Sequence, residues 1–455
     1  MSFSTLLFVF KFLPIVLLLY FLVPIKLKNP LLLIASLFFY AWGEPIYVFL
    51  LLFMILLNYL FGLWIEQTKN KFEALCLSIG LNIFILFYFK YYSFVLDTLF
   101  SILPFKLEYK MFDMPLGVSF FIFSCLAYLF DIYYKKTKAE HNIFNFALFV
   151  SFFPKLVMGP ITTYSQFKPQ IRNHPIRTNL LNTGARRFII GLAQKVILAN
   201  TFASLYSSLN ASDGLSAWLL MIAYTLDIYF DFVGYTNMAI GLGNIFGFTL
   251  PENFNYPYLS LSVSDFWRRW HITLGSFFRD YVYIPLGGNR VPFKRHIINL
   301  LIVWMLTGLW HGANWTFIFW GLYYGVILIL EKYLLKDIKR ILPSFINWLI
   351  TIFLIMIGWV FFSSPSIGDA FNTIIHLFSF STSSASLFYL KTYSIYLIIG
   401  IIGCTPLLKN IGINLNKKFN QYYYLINNAS GAMLLIISIA YMISSTYQSF
   451  LYFSF

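Results

Sequence analysis

The chain has 455 residues, of which 59% are hydrophobic and only 11% charged, with a mean hydropathy of +0.74. That composition excludes a soluble globule with a polar surface and makes lipid the solvent for most of the chain. The formal charge of +15 comes from short basic clusters between apolar runs, the pattern of cytoplasmic loops rather than of a nucleic-acid surface, and Cys76, Cys125 and Cys404 lie too far apart for a metal site or a CxxC pair.

The apolar runs predict an all-α polytopic membrane protein with roughly 11–13 transmembrane or re-entrant helices. No soluble domain is left over, so residues 1–455 read as a single transmembrane domain. The first run, Leu6 to Val23, has no basic n-region and no small-residue cleavage site, and is expected to be a retained span. Lys26 and Lys28 follow it, which places the N-terminus outside. Lys69 and Lys71, then Lys135, Lys136 and Lys138, mark further cytoplasmic loops.

FFPKLVMGPI, from Phe152 to Ile161, sets Pro154, Lys155 and Pro160 in an apolar context, which predicts a broken or re-entrant helix. The polar stretch from Lys168 to Arg187, with Arg172, Arg177 and Arg186, is expected in the cytoplasm. In SAWLLMIAYTLDIYFDFVGYTNMAIGLG, Asp227 and Asp231 stand four apart and share one helix face. They are either buried carboxylates satisfied by a neighbouring Arg or by backbone donors, or a proton or substrate site of a transporter. The first is favoured.

A Pro- and Asn-rich loop then leads to a cap expected at Ser264 and an amphipathic helix at the membrane interface. On it Trp267 and His271 share a face, and Arg268 and Arg269 point elsewhere. The run from Ile297 to His311 rises roughly 21 Å. HGANW turns the chain, and a second run returns to Lys332, Lys336, Lys339 and Arg340, so the tip of this hairpin lies deep or on the outer side. Ile346 to Phe362 spans again, WVFFSSPSIGDAF is a broken segment, and Lys409, Lys417 and Lys418 form a basic loop. A last span from about Ala432 to Ser445 leaves the C-terminus outside.

His311 stands far along an otherwise apolar helix, and an intramembrane ionisable group marks a functional site by default. A buried neutral imidazole accepts a proton; the alternative is a core histidine bonded to a carbonyl. Gly308 and Gly312 would let another backbone or a ligand approach, and Asn314 would orient the imidazole or donate to a developing oxyanion. His271 is the second candidate. Two histidines without a third ligand make a weak metal site, and no metal is expected. Arg268, Arg269, Arg279 and Arg290, beside Lys294 and Arg295, suit the phosphates of a nucleotide-like cofactor, or equally the headgroups of membrane lipids.

DFVGYTNMAIGLGNIFGFTLPENFNYPYLSLSVSDFWRRWHITLGSFFRDYVYIPLGGNR with LTGLWHGANWTFIFWG, together with DIYYKK and FFPKLVMGPI upstream, resembles the membrane-bound O-acyltransferase (MBOAT) family, in its bacterial alginate O-acetyltransferase-like branch. The resemblance implies helices forming a funnel around a central tunnel, with acyl-CoA entering from the cytoplasm and the acceptor from outside. By it, His311 matches the invariant active-site histidine and His271 a more variable polar position. Asn237 stands where relatives often carry Asp, which leaves an acid role there in doubt. The closing SFLYFSF sets Phe450, Tyr452 and Phe455 as F-x-Y-x-x-F over residues 450–455. This resembles the terminal motif of the small partner protein in teichoic-acid D-alanylation, whose tyrosine is held to carry the acyl group. The alternative is an aromatic belt anchoring the last helix.

These resemblances imply a bacterial inner-membrane enzyme that takes acetyl from acetyl-CoA, without a metal, and passes it by way of Tyr452 to a cell-surface polysaccharide. The chain has no G-D-S-L-like nucleophile segment, so an extracytoplasmic SGNH-type O-acetyltransferase is the expected partner. Abundant Lys, Asn, Ile and Phe suggest an AT-rich genome and favour peptidoglycan over alginate. A transporter of a lipid-linked sugar or acyl donor, coupled through Asp227 and Asp231, is the alternative of another class. A scaffold for a glycan-modifying complex is the third.

Overall fold

All regular structure among the described residues is helical. The computed structural model describes every residue except 104–112, 173–176, 336, 338–340, 445–448 and 452–455, and describes 416 and 418–424 by backbone alone. Tyr452 and Phe455 therefore lie outside the described residues, as do Lys336, Lys339, Arg340 and the side chain of Lys418.

The chain divides into two compact units, residues 1–188 with 235–251, and residues 189–234 with 252–455. The first holds α1 (Phe8–Leu22), α2 (Ile25–Gly43), α3 (Tyr47–Gln67), α4 (Lys71–Lys90), α5 (Tyr92–Ile102) and α6 (Val118–Tyr133). It continues with α7 (Ile143–Ser151), the single turn α8 (Phe153–Leu156) and α9 (Tyr164–Arg172). Asn58 on α3 and Asn82 on α4 exchange two amide hydrogen bonds, at 3.1 and 2.8 Å. Both are fully buried. In an apolar medium such a pair fixes which helix faces meet.

The chain breaks at Phe152 between α7 and α8, as the prolines of FFPKLVMGPI predict. The ammonium of Lys155 is buried there, 4.1 Å from the Phe149 ring centre and 3.5 Å from the Ser124 hydroxyl. Two long helices, α10 (Thr178–Ser208) and α11 (Gly214–Ile245), contribute residues to both units. In the first unit Arg187 donates to the side-chain oxygen of Asn237 at 3.0 Å.

The second unit continues with two short helices, α12 (Val263–Arg269) and α13 (Ile272–Phe278), then α14 (Phe293–His311) and α15 (Trp315–Tyr333). It ends with α16 (Ser344–Ser363), α17 (Ile367–His376), α18 (Ser384–Gly403) and α19 (Leu407–Ser444). Gly308 on α14 and Gly321 on α15 let these helices touch backbone to backbone. A Cβ at Gly308 would stand 2.3 Å from the Phe317 carbonyl oxygen, and one at Gly321 2.3 Å from that of Trp304.

Among the described residues seven helices are long and apolar enough to cross a membrane: α3, α4, α10, α11, α16, α18 and Leu425–Ser444 of α19. Three shorter apolar helices, α1, α5 and α6, accompany them. The protein is therefore multi-pass. The hairpin helices α14 and α15, whose tip the sequence places deep or on the outer side, are not among the seven. One difference concerns Lys409 and Lys417, expected in a loop. They lie inside α19, which starts directly after Pro406 and whose apolar Leu408, Ile411 and Leu415 recur at helical spacing.

Candidate functional site

The site is built in the second unit, on α12 to α16 and the loop that precedes them. Ser262, rather than Ser264, caps α12, its hydroxyl accepting from the Asp265 amide at 3.0 Å. Ser264 instead meets Glu331 of α15. That carboxylate accepts from the Val263 and Ser264 amides at 2.8 and 2.9 Å and from the Ser264 hydroxyl at 2.7 Å. A carboxylate on the first amides of a helix is favourably placed by charge and hydrogen bonding alike. It ties the hairpin to α12.

The amphipathic helix expected to carry Trp267 and His271 on one face does not run through. α12 ends at Arg269, Trp270 is extended, and His271 takes left-handed backbone angles (φ 44°, ψ 52°) before α13 begins. A non-glycine residue held there costs on the order of 1–3 kcal/mol and persists only where its surroundings fix it. Asn253 fixes it. Its carbonyl accepts from the Ile272 amide at 3.0 Å. Its side-chain oxygen accepts from the Thr273 amide (3.1 Å) and hydroxyl (3.0 Å) and lies 3.2 Å from His271 Nδ1. Trp270 and His271 are buried within the protein.

These partners also set the tautomer. The Asn253 oxygen can only accept, so His271 Nδ1 carries the proton and Nε2 the lone pair. Asn253→Ala is expected to lower the rate of acyl transfer about tenfold or more through a misplaced His271. Steady-state kinetics of the purified variant checks this, with a fall in kcat at a nearly constant KM as the sign of lost positioning.

His311 closes α14, one turn beyond the Gly308 crossing, and is 3% exposed. Its Nδ1 lies 2.8 Å from the Thr307 carbonyl oxygen, again an acceptor only, so the neutral ring carries its lone pair on Nε2. The imidazole packs against Trp310, Trp320 and Phe362, with ring centres 4.9, 4.8 and 5.4 Å away. His271 meets the same Trp310 indole at 5.7 Å. The two histidines are thus brought together, in the same tautomer, around one indole.

Asn314 does other work than orienting the imidazole. Its oxygen caps α15 through the Thr316 amide at 3.0 Å, and its amide donates to the Pro365 carbonyl at 3.4 Å. Thr307 orients His311 instead. Asn314→Ala is expected to cost about 1 kcal/mol of stability, the usual worth of such a cap, and to lower the melting temperature while chemistry continues. Gly312, like Gly308, faces Phe317: a Cβ there would stand 2.1 Å from that ring. The close approach is thus by α15.

Around the histidines stand Trp267, Trp270 and Trp320, with Trp267 and Trp320 in edge contact at 5.6 Å. Their indole N–H groups and His271 Nε2 are buried and hydrogen-bond to no other described protein atom. Buried polar atoms are normally satisfied, so this wall suits a polar ligand offering acceptors to the indoles and a proton to Nε2.

The four arginines differ in their partners. Arg269 pairs with Asp265 at 2.9 Å and Arg279 with its neighbour Asp280 at 2.7 Å, while Arg268 and Arg290 are exposed. One polar cluster escaped the sequence reading. His296 is buried with the Tyr283 hydroxyl at 2.8 Å, the Tyr333 hydroxyl at 2.6 Å and the Lys332 ammonium at 3.3 Å. Its partners lie 13, 37 and 36 residues away in the chain, at no periodic spacing that would announce them. Asp231 is a buried, satisfied carboxylate, as favoured: a backbone donor, the Leu451 amide, reaches it at 2.8 Å, and a lysine takes the place of the arginine. It meets buried Lys195 at 2.6 Å. Among the described residues no three of His, Cys, Asp or Glu converge as metal ligands.

The model of the MBOAT, membrane-bound O-acyltransferase family, matches residues 34–367. A probable alginate O-acetylase of Pseudomonas putida is 36% identical over 100% of this chain and 100% of its own length. A peptidoglycan O-acetyltransferase of Helicobacter pylori is 34% identical over 100% of this chain and 97% of its own. A teichoic acid D-alanyltransferase of Bacillus subtilis is 31% identical over 50% of this chain and 62% of its own.

Proposed function

We infer that this chain, which belongs to the membrane-bound O-acyltransferase family, moves an acetyl group from cytoplasmic acetyl-CoA onto Tyr452. An extracytoplasmic SGNH-type transferase then carries it to a hydroxyl of a surface polysaccharide. That the chain is a multi-pass membrane O-acyltransferase is the premise. Donor, carrier tyrosine, partner and an inner-membrane orientation with both termini outside are our reading. The acetyl group and the polysaccharide acceptor are supported by the names of the alginate and peptidoglycan relatives. Acyl carriage through a partner is supported by the resemblance of the tail motif to the D-alanylation system.

The observation that carries the reading is His311, whose Nδ1–H is committed to the Thr307 carbonyl, which puts the lone pair of the neutral ring, the one a base uses, on Nε2. In the step we assign, Nε2 accepts the phenolic proton of Tyr452 as the phenolate oxygen attacks the thioester carbonyl carbon. A C–O bond forms and the C–S bond breaks. The departing thiolate takes back the proton from the imidazolium. The indole N–H groups of Trp267, Trp270 and Trp320 suit the carbonyl and oxyanion acceptors of such a reaction. Arg268 and Arg290, exposed and unengaged by a carboxylate in any contact described above, are the better candidates for the donor's phosphates. Arg269 and Arg279 would first have to release Asp265 and Asp280.

The test is the intact mass of the peptide containing Tyr452 after the purified protein, without its partner, is incubated with isotopically labelled acetyl-CoA. Label on Tyr452 is expected. If label reaches polysaccharide in the presence of the partner while Tyr452→Phe acetylates as fast as the parent, the carrier step is wrong.

A further inference from the structure

Lys195 on α10 and Asp231 on α11 are both at most 3% exposed and form an ion pair at 2.6 Å. Taking two charges out of water is costly, and the cost is offset only when further hydrogen bonds satisfy what the pair leaves open. Here those bonds come from residues 449–451. The Lys195 ammonium donates to the Ser449 carbonyl at 3.1 Å, and the second carboxylate oxygen of Asp231 accepts the Leu451 amide at 2.8 Å. The Phe450 ring between them is fully buried, its centre 4.6 Å from the Lys195 ammonium.

We propose that Lys195 and Asp231 form a clasp that seats the Ser449–Leu451 backbone in a single register, making both of them positioning residues for Tyr452. One cation takes one carbonyl and one anion takes one amide, two residues apart, so the seat reads the main chain. Phe450 sets the register. Sliding the tail by one residue would bring the wrong carbonyl and amide to the pair and draw the ring from beneath the ammonium. The first aromatic of F-x-Y-x-x-F is then the part that is gripped. For its chemical role the clasp rests on the carrier reading given above; as a seat for the tail it does not.

The experiment uses the full chain in detergent, with Cys76→Ser to remove the exposed thiol and a nitroxide on Ser449→Cys, whose side chain is exposed. The parent should give an immobilised spectrum. The paired substitution Lys195→Met with Asp231→Leu removes both charges together, which buried pairs generally tolerate. It should leave the melting temperature near that of the parent while the nitroxide becomes mobile.

Two insertions provide the second arm. A glycine after Leu451 leaves the clasp filled but displaces the phenol by about 3 Å, and labelling of Tyr452 should fall roughly a hundredfold. A glycine after Gln448 lets residues 449–451 seat as before, and labelling should stay near that of the parent. An immobilised nitroxide in a folded double variant, or equal losses from the two insertions, would overturn the proposal. An immobilised tail on a parent chain that never acetylates Tyr452 would refute the carrier reading and leave the clasp standing.

Discussion

Replacing His311 with alanine is expected to lower acetyl transfer by roughly 10²–10⁴-fold, the usual worth of a positioned general base. The expectation rests on how little else changes. Trp310, Trp320 and Phe362 lose the imidazole they pack on, but Trp320 keeps Trp359 and Phe362, Phe362 keeps Phe317, and Thr307 loses a side-chain donor to its carbonyl. No charge is stranded by the substitution. The variant should therefore remain folded, and the loss should appear in the rate of label incorporation rather than in the yield of protein. His271→Ala in the same assay should cost less, since that ring lies across Trp310 from the base. Full activity in His311→Ala would remove the base from this reading. The transporter reading, with Asp227 and Asp231 as coupling groups, would then be the one to pursue through Asp231→Asn.

Gly308→Val should be nearly as damaging, for a different reason. Even the first carbon of the new side chain would stand 2.3 Å from the Phe317 carbonyl oxygen, and Gly321 faces it in the same crossing. The obstruction is backbone, so no rotamer of a neighbour relieves it; overpacking of this kind commonly costs about 1–3 kcal/mol, and more where nothing can yield. The helices must separate. His311 follows one turn later on α14, so the displacement reaches the base directly, and a shift of about 1 Å can cost a hundredfold in rate. A melting temperature several degrees lower together with loss of label incorporation is the expected pair of observations. A variant with normal stability and normal rate would show that the hairpin is not as closely packed as described here.

Much of the site was legible where the signal is local. A histidine at the end of an apolar run, flanked by glycines, announces itself by its misfit with the surrounding solvent, and the prolines around Lys155 announce a broken helix in the same way. What stayed hidden depends on partners distant in the chain. Trp267 and His271 have the spacing of one helical face, and only Asn253, 18 residues upstream of the histidine, turns that spacing into a break. Lys195 lies 36 residues before the aspartate it neutralises. The side-chain amide of Asn314 looked available to the imidazole because a capping role depends on where the next helix starts. The arginines differ among themselves in a way their clustering does not announce: Asp265 and Asp280 already hold two of them.

The last helix carries a consequence of its own. α19 runs for 38 residues, and among the described residues the stretch from Leu425 to Ser444 is apolar enough to match a bilayer. Residues 407–424 form about 27 Å of helix at 1.5 Å per residue, nearly a second hydrocarbon thickness, with the lysines of that segment on it. Such a rod is continuous with a span and so cannot reorient independently of it. A chemical group attached near Lys409 would be carried well clear of the lipid on one defined side. The enzyme thus carries a built-in mast from which its orientation in the membrane can be measured without touching the residues that do its chemistry.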